Sequence, residues 1–180
     1  MTAPEPSRGG GGDAATARTL VLLRHARADD PPGTADEQRP LSARGHADAR
    51  AAGAWLATRY VPELVLCSPA RRTRQTWQAL SGQLPERPDA VRYERLLYVG
   101  GVADLFNLLR RTDETVHTVL VVGHNPALSQ LSFTLHPTDQ RTDGGLRTCG
   151  LAVHTVVGPW SACGPGAAPL IATHTARGDH

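Results

Sequence analysis

Four short segments of this chain carry side chains suited to handling a phosphoryl group: Arg24-His25, Ser68 to Arg72, Glu94, and Gly123-His124-Asn125. A neutral imidazole offers a free ring nitrogen that can attack phosphorus in line. Negative charge spreads over the non-bridging oxygens in the transition state, and guanidinium groups or helix-terminal amides match it. A poor leaving group adds the need for a proton donor, for which Glu94 is the one candidate. Taken singly, each segment also has a plainer reading. Arg24-His25 could be a solvated strand end, His124 a turn residue, Arg71, Arg72 and Arg74 a basic helix face, and Glu94 a surface carboxylate. Their value lies in coincidence, because each follows an apolar run.

Those runs define the elements that must position them. Thr19–Leu23 and Leu64–Cys67 are short continuous apolar stretches, as expected of strands buried on both faces. Val91–Tyr93 is a weak third strand, Val116–Val122 a fourth with His117 and Thr118 inside it, and Leu151–Val157 and Leu170–Thr175 are two late ones. Helices are predicted from an N-capping Ser42 to about Arg59, from Pro69 to about Leu84, over Val102–Arg111, and from an Asn125-Pro126 start towards His136. Residues 27–40 and 137–149 read as loops. Strands alternating with helices predict an α/β fold, a three-layer α/β/α sandwich with a mostly parallel central sheet and an antiparallel C-terminal edge pair. In such sheets ligands bind beyond the carboxyl ends of the strands, where Arg24-His25, Ser68–Arg72 and His124 lie.

Composition narrows the class. A chain of 180 residues, 40% hydrophobic and 20% charged, suits one globular domain, expected at 18–176 between a flexible Gly/Pro-rich tail at 1–17 and a short one at 177–180. A net charge of +2, from 19 basic and 17 acidic side chains, argues against nucleic-acid or membrane partners. Three widely spaced cysteines, no apolar span and no signal-like start point to a cytoplasmic protein without a disulfide framework. Cys149, His154, Cys163 and His174 match no compact zinc pattern, the Asp29–Asp36 loop reads as solvated, and no metal or cofactor is expected. Trp55 and Trp77 are expected in the core.

The segment VLLRHARAD resembles the signature of the histidine phosphatase superfamily, in the form found in SixA-like phosphohistidine phosphatases. The resemblance continues, in the family's order, through RPLSARG (Arg39–Gly45), SPARRTRQTW (Ser68–Trp77), YERLLY (Tyr93–Tyr98) and LVVGHNPAL (Leu120–Leu128). It implies that His25 is the phosphorylated nucleophile, that Arg24 and Arg72 bind the phosphoryl oxygens, and that His124 is the second histidine at the same group. The family pattern sets its arginine four residues after the serine, which selects Arg72 over Arg71. Ala26 stands where the superfamily has glycine, and SixA-like sequences resemble this one in that, so a negative φ is expected. Glu94 matches the superfamily acid by its block, yet SixA-like members lack a clear general acid.

The expected function is therefore a metal-independent phosphatase working through phosphohistidine at His25, acting on phosphohistidine in proteins. The N–P bond is activated and imidazole departs more readily than an alkoxide, so weak acid assistance suffices. A phosphatase for small O-phosphomonoesters and a catalytically idle domain that binds phosphorylated ligands are the alternatives.

Overall fold

The run Thr19–Leu23 lies within β1 (Arg18–Arg24), an inner strand of a six-stranded sheet in the computed structural model, which describes residues 17–88, 90–137 and 145–178. The other strands are β2 (Leu64–Cys67), β3 (Ala90–Tyr93), β4 (Thr118–Gly123), β5 (Gly150–Val156) and β6 (Leu170–Thr175). Their order is β3-β2-β4-β1-β5-β6. The first four run parallel, while β5 is antiparallel to β1 and β6 antiparallel to β5. The expected C-terminal edge pair is thus present.

Alternation along each inner strand feeds two cores. Leu20 and Leu22 of β1, Val119 and Val121 of β4, and Leu64 and Leu66 of β2 face one layer. That layer is closed by α3 (Leu96–Val99), α4 (Val102–Arg110) and α5 (Ala127–Leu135). Val21, Leu23, Leu120, Val122, Val65 and Cys67 face α1 (Ala43–Ala57) and α2 (Arg71–Ser81) on the other side. Each fully buried leucine or valine contributes roughly 1.5–3 kcal/mol on transfer from water. With so few aromatics, aliphatic side chains supply both layers, with Trp77 in one and a fully buried Trp160 in the other.

Several boundaries differ from expectation. His117 precedes β4 rather than lying inside it. α2 starts at Arg71, after Ala70, and not at Pro69. Asn125 does not cap α5: its amide donates to the Leu146 carbonyl (2.8 Å) and its Oδ1 accepts from Ser129 Oγ (2.7 Å), so Pro126 takes the cap position. The short α3 and the 3-10 turns at Asp36–Gln38 and Trp160–Ala162 carry too little periodicity to predict. Residues 1–16 and 179–180 of the predicted tails and 138–144 of the 137–149 loop lie outside the described residues, while Arg177 and Gly178 are tied to Asp48 of α1.

The RPLSARG block sets the loop after β1 on the start of α1. The Arg27 carbonyl accepts from Ser42 N (2.9 Å) and Ser42 Oγ (3.1 Å), and Ser42 Oγ caps α1 by accepting from Gly45 N (3.0 Å). A Cβ at Gly45 would overlap the Arg27 carbonyl, so only glycine permits this approach. Gly45→Val is expected to lose about 1–3 kcal/mol in urea unfolding, the cost of overpacking, with a parallel drop in kcat/KM. An unchanged unfolding midpoint would show that the loop tolerates displacement.

Candidate active site

Three parallel strands end side by side. Arg24 pairs with Gly123 and Cys67 with Val122, so the residues that follow β1, β2 and β4 emerge at one edge. His25 N continues the ladder to Gly123 O (3.0 Å), and Ser68 N does so to Val122 O (3.0 Å). There, Arg24, His25, Arg39, Arg72, His124 and Asn125 line a cavity of about 280 Å3. Four of the five predicted residues are brought together.

Glu94 is not among the cavity-lining residues. β3 ends just before it, and only its backbone is engaged: its N donates to Cys67 O (2.9 Å) and its carbonyl accepts from Leu97 N (3.0 Å). The same block instead brings Tyr98 to the site, because α3 turns the chain back after the strand. The Tyr98 ring meets His124 edge-on at 5.6 Å between centroids, and its hydroxyl donates to Asp36 Oδ2 (2.9 Å).

His25 is held on both sides of its backbone. Its carbonyl accepts from Cys149 N (3.1 Å), and the next amide, Ala26 N, donates to Thr76 Oγ1 (3.1 Å). Ala26 is fully buried and, as expected, its φ is not positive; among described non-glycine residues only Cys149 has a positive value, 56°. The His25 ring turns Nδ1 to the Ala26 carbonyl at 2.7 Å. A carbonyl can only accept, so Nδ1 carries the hydrogen and Nε2 keeps its lone pair.

Electrostatics favour that neutral form. Burial, reinforced by Arg72, Arg24 and Arg39, pushes the His25 pKa down to about 4 against the bond to Ala26 O. The ring of His124 lies 5.1 Å from that of His25, and its pKa falls to about 3, through burial first and then His25 and Arg72. His124 Nε2 meets Ser68 Oγ at 2.8 Å, while its Nδ1 has no hydrogen-bond partner among the described residues.

Both guanidiniums are anchored from behind. Arg24 NH1 donates to the Leu146 carbonyl (3.0 Å), the acceptor that Asn125 shares. Arg72, buried on α2, donates from NH1 to Asp36 O (2.6 Å) and from NH2 to Asp36 Oδ2 (3.0 Å). The Tyr98 hydroxyl and Arg72 hold the Asp36 carboxyl well below the usual range, at about 2. Sequence reasoning missed Asp36 and Tyr98. Asp36 sat in a loop read as solvated, and the Tyr93–Tyr98 block was read for its carboxylate alone.

Of the histidines outside the site, His154 and His174 have structural partners. His154 is buried, with Nε2 at 2.9 Å from Ser132 Oγ and Nδ1 at 2.9 Å from Ala168 O. His174 stacks on the partly buried Trp55 at 4.7 Å. No cluster of three His, Cys, Asp or Glu side chains able to hold a metal is found among the described residues. No described helix is long and apolar enough to cross a membrane.

An α/β/α sandwich that gathers two histidines and four arginines, Arg24, Arg27, Arg39 and Arg72, around one cavity beyond parallel strand ends is built to hold an oxyanion. Residues 20–96 match the family model of the histidine phosphatase superfamily, branch 1. A protein of Mycobacterium tuberculosis, itself uncharacterised, is 37% identical over 163 residues, covering 86% of this chain and all of that one. A solved structure from Nakamurella multipartitia, provisionally assigned as a phosphohistidine phosphatase SixA, is 32% identical with a TM-score of 0.80 over 91% of this chain and 99% of that one. The protein histidine phosphatase SixA complexed with tungstate is 26% identical, with a TM-score of 0.75 over 87% and 96%. The chain belongs to the histidine phosphatase superfamily. It is a phosphatase of the SixA-like group.

Proposed function

We propose that the protein removes phosphate from phosphohistidine in proteins, without a metal, through a phosphohistidine formed at His25. The observation that carries this reading is the hydrogen bond from His25 Nδ1 to Ala26 O, which leaves Nε2 nucleophilic inside an arginine-lined cavity. Nε2 attacks phosphorus, the P–Nε2 bond forms and the bond to the substrate imidazole breaks. The phosphorylated ring, bearing hydrogen on Nδ1, is cationic, and the Ala26 carbonyl stabilises that charge. Water then attacks phosphorus, phosphate leaves, and His25 returns to its neutral form with no net proton demand on the ring.

Arg24 and Arg72 neutralise the oxygens in both steps. The Ser68 hydroxyl and His124 Nε2 hydrogen-bond at 2.8 Å, holding the second imidazole 5.1 Å from the His25 ring, where it adds to the polar lining of the cavity. Support for an N–P substrate comes from the cavity lining, in which no carboxylic acid stands among the described residues. Glu94 lies outside its lining and Asp36 is held ionised. A substrate imidazole protonated on its other nitrogen leaves as a neutral ring and needs no acid from the enzyme. The SixA resemblance points the same way, and tungstate in one such relative is an oxyanion of tetrahedral type.

Acid-quench mass spectrometry after mixing with a phosphohistidine protein, or with a panel of phosphomonoesters, tests this. Phosphorylation is expected at residue 25, loaded faster from the N–P donor. Equal loading from alkyl phosphates would favour the O-ester reading, and phosphate binding with no loading would favour an idle binding domain.

The pH dependence follows from the same geometry. The reactive form has His25 neutral, so activity is present above its folded pKa and lost as pH falls through about 4. With free enzyme and an N–P substrate, the acid limb of kcat/KM attributable to His25 is expected well below 6.5, the ordinary histidine value. An enzyme limb centred near 6.5 would show that the ring is not desolvated as described.

A further inference from the structure

The exposed stripe of α2 that carries Arg71, Arg74 and Gln78 is unused by the chemistry above. Arg71, Arg74, Gln75 and Gln78, with Gln38 and Pro69, line a second cavity of about 300 Å3. It shares no lining residue with the phosphoryl cavity, yet the two adjoin twice along the chain: Gln38 lines one and Arg39 the other, Arg71 one and Arg72 the other.

We infer that Arg71 and Arg74 form a docking subsite for carboxylates of an acidic polypeptide segment flanking the phosphohistidine; this rests on the proposed N–P substrate. Charge distribution carries the argument. On the loop beside the site, Asp30 is paired with Arg39 (3.1 Å), Asp36 with Arg72 (3.0 Å) and Glu37 with Arg95 (3.1 Å). Arg71 and Arg74 are exposed and make no ion pair among the described residues. Guanidinium groups match carboxylates with paired donors. Arg74 is also ordered in advance, its guanidinium lying 5.8 Å from the centre of the Tyr93 ring, which lowers the entropy cost of using it. An anion bound here while phosphorus sits at His25 must belong to a substrate large enough to span both cavities. A near-neutral protein can therefore present a locally positive mouth.

The test uses three phosphohistidine peptides of equal length, flanked by glutamate, glutamine or lysine, together with free phosphohistidine, on the full chain and on Arg71→Ala/Arg74→Ala. Wild type is expected to favour the glutamate peptide through KM. The double variant is expected to raise that KM about five- to tenfold, with kcat and free-phosphohistidine turnover unchanged, the size typical of two rim charges. Added salt should erase the same preference. Equal KM for all three peptides in wild type, or equal loss on peptides and free phosphohistidine in the variant, overturns the docking subsite and leaves the N–P reading standing. Failure of every N–P substrate alongside turnover of phosphomonoesters overturns both.

Discussion

His25→Ala protein is expected to retain less than about one thousandth of wild-type turnover on phosphohistidine and on an aryl phosphate, because the step that forms the P–N bond has no substitute. Among the described residues the one other imidazole lining the cavity is His124, whose Nε2 is engaged by Ser68 at 2.8 Å. Loss of the ring removes a side-chain bond to Ala26 O but none of the backbone bonds that order the segment. The thermal midpoint should therefore move little, which separates lost chemistry from lost folding. The variant should still bind vanadate or tungstate through Arg24 and Arg72, more weakly than wild type. Normal turnover in this variant would refute the covalent route.

Arg72→Ala is expected to lower kcat/KM by about 10²- to 10³-fold, the scale seen when one preorganised donor to a charged transition state is removed. Its guanidinium is buried and held by the Asp36 carbonyl and carboxylate, so little reorganisation is needed as charge develops. Arg72→Lys should recover only part of the loss, since an ammonium keeps the charge but not the planar fork. The substitution also frees Asp36, leaving a carboxylate near the phosphate without its counter-charge. An Arg72→Ala/Asp36→Asn double variant is therefore expected to be less impaired than the sum of the single changes. Strict additivity would mean that Asp36 and Arg72 do not act as a unit.

The elements legible from sequence are those whose signal is local. β1, β2 and β6 are continuous or alternating apolar runs, and the Ser42 cap opens α1 where expected. Arg24, His25 and His124 were legible because they follow such runs directly, and Arg72 because the SPARRTRQTW block fixes its register. Glu94 stands outside the cavity lining for the converse reason. A residue just past a weak, partly exposed strand carries no mark of which way the next turn will send it, and it was Tyr98, on α3, that the turn brought inward. Asn125 failed as a cap because its Oδ1, the atom a cap would use, accepts from Ser129 Oγ, while its amide is held by the distant Leu146 carbonyl.

Residue types and order along the chain determined that two imidazoles and a guanidinium would stand at strand ends, with a second guanidinium on the helix that follows β2. What they left open is which nitrogen of His25 is free, which carboxylate attends the arginines, and which arginines stay unpaired. Tertiary structure decided each of these through contacts between residues far apart in sequence. Burial lowers the His25 pKa to about 4, and Asp36 meets Arg72 across 36 positions and Tyr98 across 62. Desolvation and hydrogen-bond direction arise only when the layers close. A pattern along one dimension can specify the reacting groups, but their protonation and partners belong to the packed molecule.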